Sequence, residues 1–94
     1  MARAKSILII DDDTDLREQL REQLELHEEF SATDSATAAE GLKAAKERRP
    51  DLILLDVDLP DMDGREVLKL MRGAGVSAPV VMLTAAAGDS DTIL

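Results

Sequence analysis

Three apolar runs in this chain end in oxygen-bearing side chains. Ile7-Leu8-Ile9-Ile10 runs into Asp11-Asp12, Leu52-Ile53-Leu54-Leu55 into Asp56, and Val80-Val81-Met82-Leu83 into Thr84. Short runs of this kind read as buried strands of a parallel sheet, where a carboxylate contributes nothing to packing. Three carboxylates gathered at one semi-buried point repel strongly unless a cation neutralises them. All-oxygen donors with room for water suit Mg²⁺. Each residue alone has a simpler reading. Asp13 is expected to cap the next helix, and Asp58, Asp61 and Asp63 to serve a loop through turns and caps. Thr84 alone would be a strand residue. The combination at three strand ends favours a site.

The remaining chemistry is sparse. No glycine-rich phosphate loop is present, and no Ser-His-Asp set can be assembled. The one histidine, His27, falls in the inward register of a helix near its end, where packing or a C-terminal charge role is expected. Met62, Met71 and Met82 are scattered and read as core or loop residues.

The elements that must position these residues alternate. A strand is expected over 6–10, then a helix with Leu16, Leu20, Leu24 and His27 on one face, Thr14 being a plausible N-cap. A weak edge strand is expected over 30–33. Thr37-Ala38-Ala39-Glu40 reads as a capping box opening a helix with Ala38, Leu42 and Ala45 inward. Lys46 to Arg49 suit that helix's negative end, and Pro50 stops it. A strand follows over 52–55. Gly64 opens a third helix with Val67, Leu68 and Met71 inward, which Gly73 and Gly75 close. After the strand over 80–83, Asp89 or Ser90 could cap one more helix.

The order β-α-β-α-β-α-β argues for an α/β fold, a doubly wound parallel sheet with helices on both faces. Right-handed crossovers bring every strand's carboxyl end to one edge of the sheet. In a 2-1-3-4-5 order the first and third strands meet at the switch point, so Asp11, Asp12 and Asp56 are expected to converge there. We see no linker or repeat, and read residues 1–94 as one domain.

Composition narrows the partners. The formal net charge is −9, which argues against direct nucleic-acid binding and suits a metal cation or a basic partner surface. Phe30 is the only aromatic residue, so the core must be aliphatic. No apolar run approaches the roughly 20 residues of a membrane helix. The basic start, Met1 to Lys5, leads into a strand with no cleavable signal pattern. With no cysteine there is no disulfide framework, which fits the cytoplasm.

Taken together, Ile7-Leu8-Ile9-Ile10-Asp11-Asp12, Leu54-Leu55-Asp56 with Pro60 and Asp63-Gly64, and Val81-Met82-Leu83-Thr84-Ala85 resemble the receiver domain of two-component response regulators, over nearly the whole chain. The resemblance implies a flavodoxin-like, CheY-like fold. It implies that Asp56 accepts a phosphoryl group from a sensor histidine kinase and that the domain acts as a signalling switch, not an enzyme. It also implies Mg²⁺ bound by Asp12 and Asp56 directly, by Asp11 through water and by the backbone carbonyl of Asp58, with Thr84 hydrogen-bonding the phosphoryl group. A DNA-binding output domain or a homodimer is the implied outlet. The family's fifth strand with its lysine, its switch aromatic and its last helix have no counterpart in these 94 residues, which reads as C-terminal truncation. Lys43, Lys46 and Lys69 fall on helices and cannot replace that lysine.

Two other readings compete. Asp56-Val57-Asp58 also resembles the Asp-x-Asp of haloacid-dehalogenase-type phosphatases, with Asp58 as general acid/base. That reading leaves Asp11 and Asp12 unexplained. The chain could also be a receiver-fold binding module that works without phosphorylation. Without a fifth parallel strand, residues 80–83 are expected at an open sheet edge, a template for pairing with a second chain.

Overall fold

The computed structural model of the chain describes residues 4–83 together with Thr92 and Ile93. Strand β1 (Lys5–Ile10) is followed by α1 (Thr14–Glu25), β2 (Phe30–Ser35), α2 (Ala38–Arg48), β3 (Leu52–Asp56), α3 (Gly64–Gly73), β4 (Val80–Leu83) and β5 (Thr92–Ile93). The sheet order is β2-β1-β3-β4-β5. The first four strands are parallel to one another, as the alternation of elements requires.

Period-2 alternation divides the core between the two faces. Leu8 and Ile10 of β1, Ile53 and Leu55 of β3, and Val80 and Met82 of β4 pack with Ala38 and Ala45 of α2 and Val67 and Met71 of α3. Ile7 and Ile9 point the other way, joining Ala32 with Leu20 and Leu24 of α1. Val67 and Met71 are fully buried, and each such side chain contributes roughly 2 kcal/mol on transfer from water. Leu68 and Leu42 are only half-buried.

Local signals end the helices largely as expected. The Thr37 hydroxyl accepts from the Glu40 amide at 3.2 Å, and the Glu40 carboxylate accepts from the Ala36 amide at 3.3 Å, one residue before the usual capping-box partner. Arg49 closes α2 with φ at 48°, in the left-handed region, before Pro50. At the first helix, of the two caps expected, Asp13 is the one formed and Thr14 is not. The Asp13 side chain accepts from the Leu16 amide, and Thr14 is already helical. The helix ends at Glu25, leaving His27 exposed, its ring edge-on to Phe30 with centroids 6.1 Å apart. Inward packing of His27 is therefore corrected. Strand β2 runs on to Ser35, because pairing with Ile9 and Ile10 outweighs the poor strand propensity of Asp34 and Ser35.

A second correction concerns the far edge. Thr92 and Ile93 are extended, not helical, and pair antiparallel with Met82 and Val81. The open edge expected at residues 80–83 is thus covered over two positions. Asp89 and Ser90 lie outside the described residues.

The close approach of α2 to the sheet depends on Gly41, where an added Cβ would lie 2.6–2.8 Å from three side-chain atoms of the fully buried Ile10. Gly41→Ala is expected to destabilise the fold by about 1–3 kcal/mol through overpacking, read as a lower urea midpoint. Adding Ile10→Val, which removes the nearest atom, should recover part of the loss. An unchanged midpoint would mean that α2 stands farther from β1.

Candidate functional site

The parallel register of β1 and β3 sets Ile10 beside Leu55, so the next residues, Asp11 just past β1 and Asp56 at the end of β3, come side by side. One ligand oxygen from each of Asp11, Asp12 and Asp56 lies within 4.8 Å of the others. The three residues line a cleft of about 310 Å³ together with Asp13, Leu16, Asp58 and Leu83. The expected convergence is therefore present. Thr84 lies outside the described residues, and Leu83 before it borders the cleft. Asp58 is exposed at the rim.

The first loop is tied down by main-chain contacts. Asp11, 4% exposed, donates its amide to the Ser35 carbonyl at 3.1 Å. Its carboxylate accepts from the Asp13 amide at 2.9 Å. Arg17 donates through Nη1 to the Asp11 carbonyl at 2.7 Å and through Nε to Asp34 at 2.9 Å.

The second loop is held by its own turns. The Asp58 amide donates to Asp56 Oδ1 at 3.1 Å, and the Gly64 amide to the Val57 carbonyl at 2.7 Å. Gly64 packs so tightly on the strand end that a Cβ there would collide with the Asp56 carbonyl oxygen. Asp63 caps α3, accepting from the Arg65 amide at 2.8 Å. Asp61 spans outward, accepting from the amides of Ala38 and Ala39 at 2.8 and 3.1 Å. The loop after Asp56 is thereby fastened to the N-terminus of α2.

Burial sets the charge balance. Desolvation is the largest influence raising the Asp11 and Asp56 carboxyls above 3.8. A backbone hydrogen bond opposes it at each, while neighbouring carboxylates raise both further, among them Asp12 and Asp13 for Asp11, and Asp11, Asp12 and Asp58 for Asp56. Asp61 moves the opposite way, held below 3.8 by the amides of Ala38 and Ala39.

Sequence reasoning recognised the acids of the cleft and missed the residues that hold their loops. Arg17 reads as one more polar residue on an amphipathic helix, and a loop role was legible for Asp61 without its partner helix. The available signal for Arg17 was its place one turn beyond the Asp13 cap, where a long side chain can fold back over the strand end.

A parallel 2-1-3-4 sheet with an acid cluster at its switch point is a doubly wound α/β domain whose carboxyl edge is suited to a ligand. Residues 7–94 match the response regulator receiver domain, and the chain belongs to that family. It is 41% identical over 93 residues to the alkaline phosphatase synthesis transcriptional regulatory protein PhoP of Bacillus subtilis, covering 96% of this chain and 37% of that protein. The chain thus spans little more than a third of that relative's length. Among solved structures it is similar to a CheY-like response regulator receiver domain protein from Methanospirillum hungatei JF-1, with TM-score 0.81 and 36% identity over 92% of this chain and 68% of that one. It is also similar to the MaeR response regulator bound to beryllium trifluoride, with TM-score 0.78 and 32% identity over 87% and 68% of the two chains.

The opposite shifts of Asp56 and Asp61 predict opposite pH signatures in metal-free buffer. A carboxyl raised in the folded state destabilises the fold fully above its folded pKa, and the effect fades as pH falls through that value towards 3.8. Asp56→Asn should therefore melt higher than the parent at pH 7, by up to roughly 5 °C on the scale on which 1 kcal/mol moves a domain of this size, and the gap should close towards pH 4. Asp61→Ala should melt lower at pH 7, and its deficit should vanish only below 3.8. Thermal melts across this range read both differences. Parallel profiles for all three proteins would contradict the assignment.

Proposed function

We propose that this domain is a phosphoacceptor switch in which Asp56 takes a phosphoryl group from a phosphohistidine of a sensor histidine kinase. The observation that carries the reading is the meeting of three carboxylates from two strand ends in one open cleft, their ligand oxygens within 4.8 Å. Asp56 Oδ1 is engaged by the Asp58 amide. No partner holds Oδ2 among the described residues, which leaves it able to attack phosphorus as the phosphorus–nitrogen bond to the donor imidazole breaks. The product is an acyl phosphate on Asp56.

The donor set fits a hard divalent cation. Its oxygens are all carboxylate, and two of the acids are raised by burial and mutual repulsion. Asp11, Asp12 and Asp56, with the backbone carbonyl of Asp58, would hold Mg²⁺. When bound, the ion supplies positive charge that offsets both the clustered acids and the incoming phosphoryl oxygens. The similar MaeR response regulator is bound to beryllium trifluoride, which supports an anionic ligand for this domain.

Thr84, the residue after Leu83 at the rim, would hydrogen-bond the phosphoryl group and convert the new charge into a movement of the loop after β4. Asp56 is regenerated by hydrolysis, so the domain is a switch, not a turnover enzyme. Similarity to a transcriptional regulatory protein supports a DNA-binding output domain in a longer protein, with DNA contacted there and not by this acidic domain. A homodimer is one outlet for the signal. Cytoplasmic placement goes with such a partner, and no helix among the described residues is long and apolar enough to cross a membrane.

Incubation with a small phosphodonor and Mg²⁺, followed by intact-mass measurement and peptide mapping, should add one phosphoryl group at Asp56 and none to Asp56→Asn. Asp12→Ala should weaken Mg²⁺ binding at least tenfold. A phosphoryl group mapped to Asp58 or Asp12, or undiminished Mg²⁺ binding by Asp12→Ala, would overturn the assignment. Steady turnover of a phosphomonoester, lost in Asp58→Asn, would point to the phosphatase reading instead.

A further inference from the structure

We infer that Arg17 is a positioning residue for the cation site: its guanidinium, braced on Asp34, locks the peptide that aims Asp12 into the cleft. The inference rests on the Mg²⁺ reading above.

The guanidinium of Arg17 bridges the ends of two strands. Nε donates to Asp34 Oδ2 at 2.9 Å on β2, Nη1 to the Asp11 carbonyl at 2.7 Å after β1, and Nη2 approaches the Thr14 hydroxyl at 3.4 Å. Its side chain is only 13% exposed, so the fork is held in one pose. Arg21 reaches the other Asp34 oxygen at 3.8 Å, too far for a hydrogen bond. Arg17 is thus the main brace between Asp34 and the loop.

The consequence follows from peptide planarity. The Asp11 carbonyl and the Asp12 amide share one rigid plane. The Asp11 amide is already fixed on Ser35 and its carboxylate on Asp13. Fixing the carbonyl as well sets the direction in which the chain leaves for Asp12. Asp12 needs this, because its exposed carboxylate has no hydrogen-bond partner of its own among the described residues. Its aim comes from the backbone alone. Asp34 offsets the charge of Arg17, so a cation can sit beside the loop without displacing a divalent ion.

The sign of one substitution separates position from charge. If Arg17 acted only through its charge, its removal would tighten Mg²⁺ binding by relieving like-charge repulsion. If it positions Asp12, removal loosens binding, by about tenfold or more for a lost outer-shell contact. Arg17→Met and Arg17→Lys are both expected to bind Mg²⁺ about tenfold more weakly, since an ammonium is a point charge and lacks the planar fork. Amide NMR shifts of Asp12, Asp13 and Asp56 read the titration without an aromatic reporter. The metal-free Arg17→Met protein should also exchange its Asp12 and Asp13 amides faster than the parent.

Ala45→Gly, a destabilised control on a buried position of α2, should keep parental affinity. If that control weakens as much, or if the Arg17 variants bind equally or more tightly, the inference fails and the metal reading stands. If the parent shows no saturable Mg²⁺ response, the metal reading itself fails, and this inference with it. Should Arg17→Met not fold, Arg17→Lys carries the same comparison.

Discussion

Mutual repulsion among Asp11, Asp12 and Asp56 is the constraint on which this structure turns. Carboxylates whose oxygens come within 4.8 Å of one another cost stability in the metal-free protein, and burial sharpens the cost at Asp11 and Asp56. A fold selected only for stability has no reason to place them so. Their presence at the carboxyl edge of a parallel sheet ties the architecture to a charge-bearing ligand.

The sheet accommodates this cost through its apolar layers. Strands β1 and β3 are adjacent and central, flanked by β2 and β4, and their side chains are buried on the face covered by α2 and α3. That packing fixes the two strand ends relative to each other, so the acids cannot drift apart to relieve the repulsion. The loops then add local restraint. Arg17 and Ser35 hold the first, while Gly64 and Asp61 hold the second against α3 and α2.

Membership of the response regulator receiver domain family gives this arrangement a purpose. In the proposed switch, the acyl phosphate forms where the loop to α3 begins, and that loop is fastened through Asp61 to the start of α2. In that proposal, a change of charge at Asp56 would reach two helices through a few hydrogen bonds. On the other side of the cleft, Leu83 leads into Thr84, the residue proposed to read the phosphoryl group.

Much of this was legible in the amino-acid sequence. Three apolar runs ending in polar residues, a capping box at Thr37 and Glu40, and stops at Pro50 and Gly73 define the order of elements, because helix and strand periodicity and capping are local properties. From that order, right-handed crossovers lead to a switch point with Asp11, Asp12 and Asp56 together. Contacts between residues far apart in sequence were not legible. The span of Arg17 from Asp11 to Asp34, the grip of Asp61 on α2, the extension of β2 to Ser35 and the pairing of Thr92 and Ile93 with β4 all depend on where other strands and helices lie. Those positions follow from packing of the whole chain, so only the tertiary structure decides them.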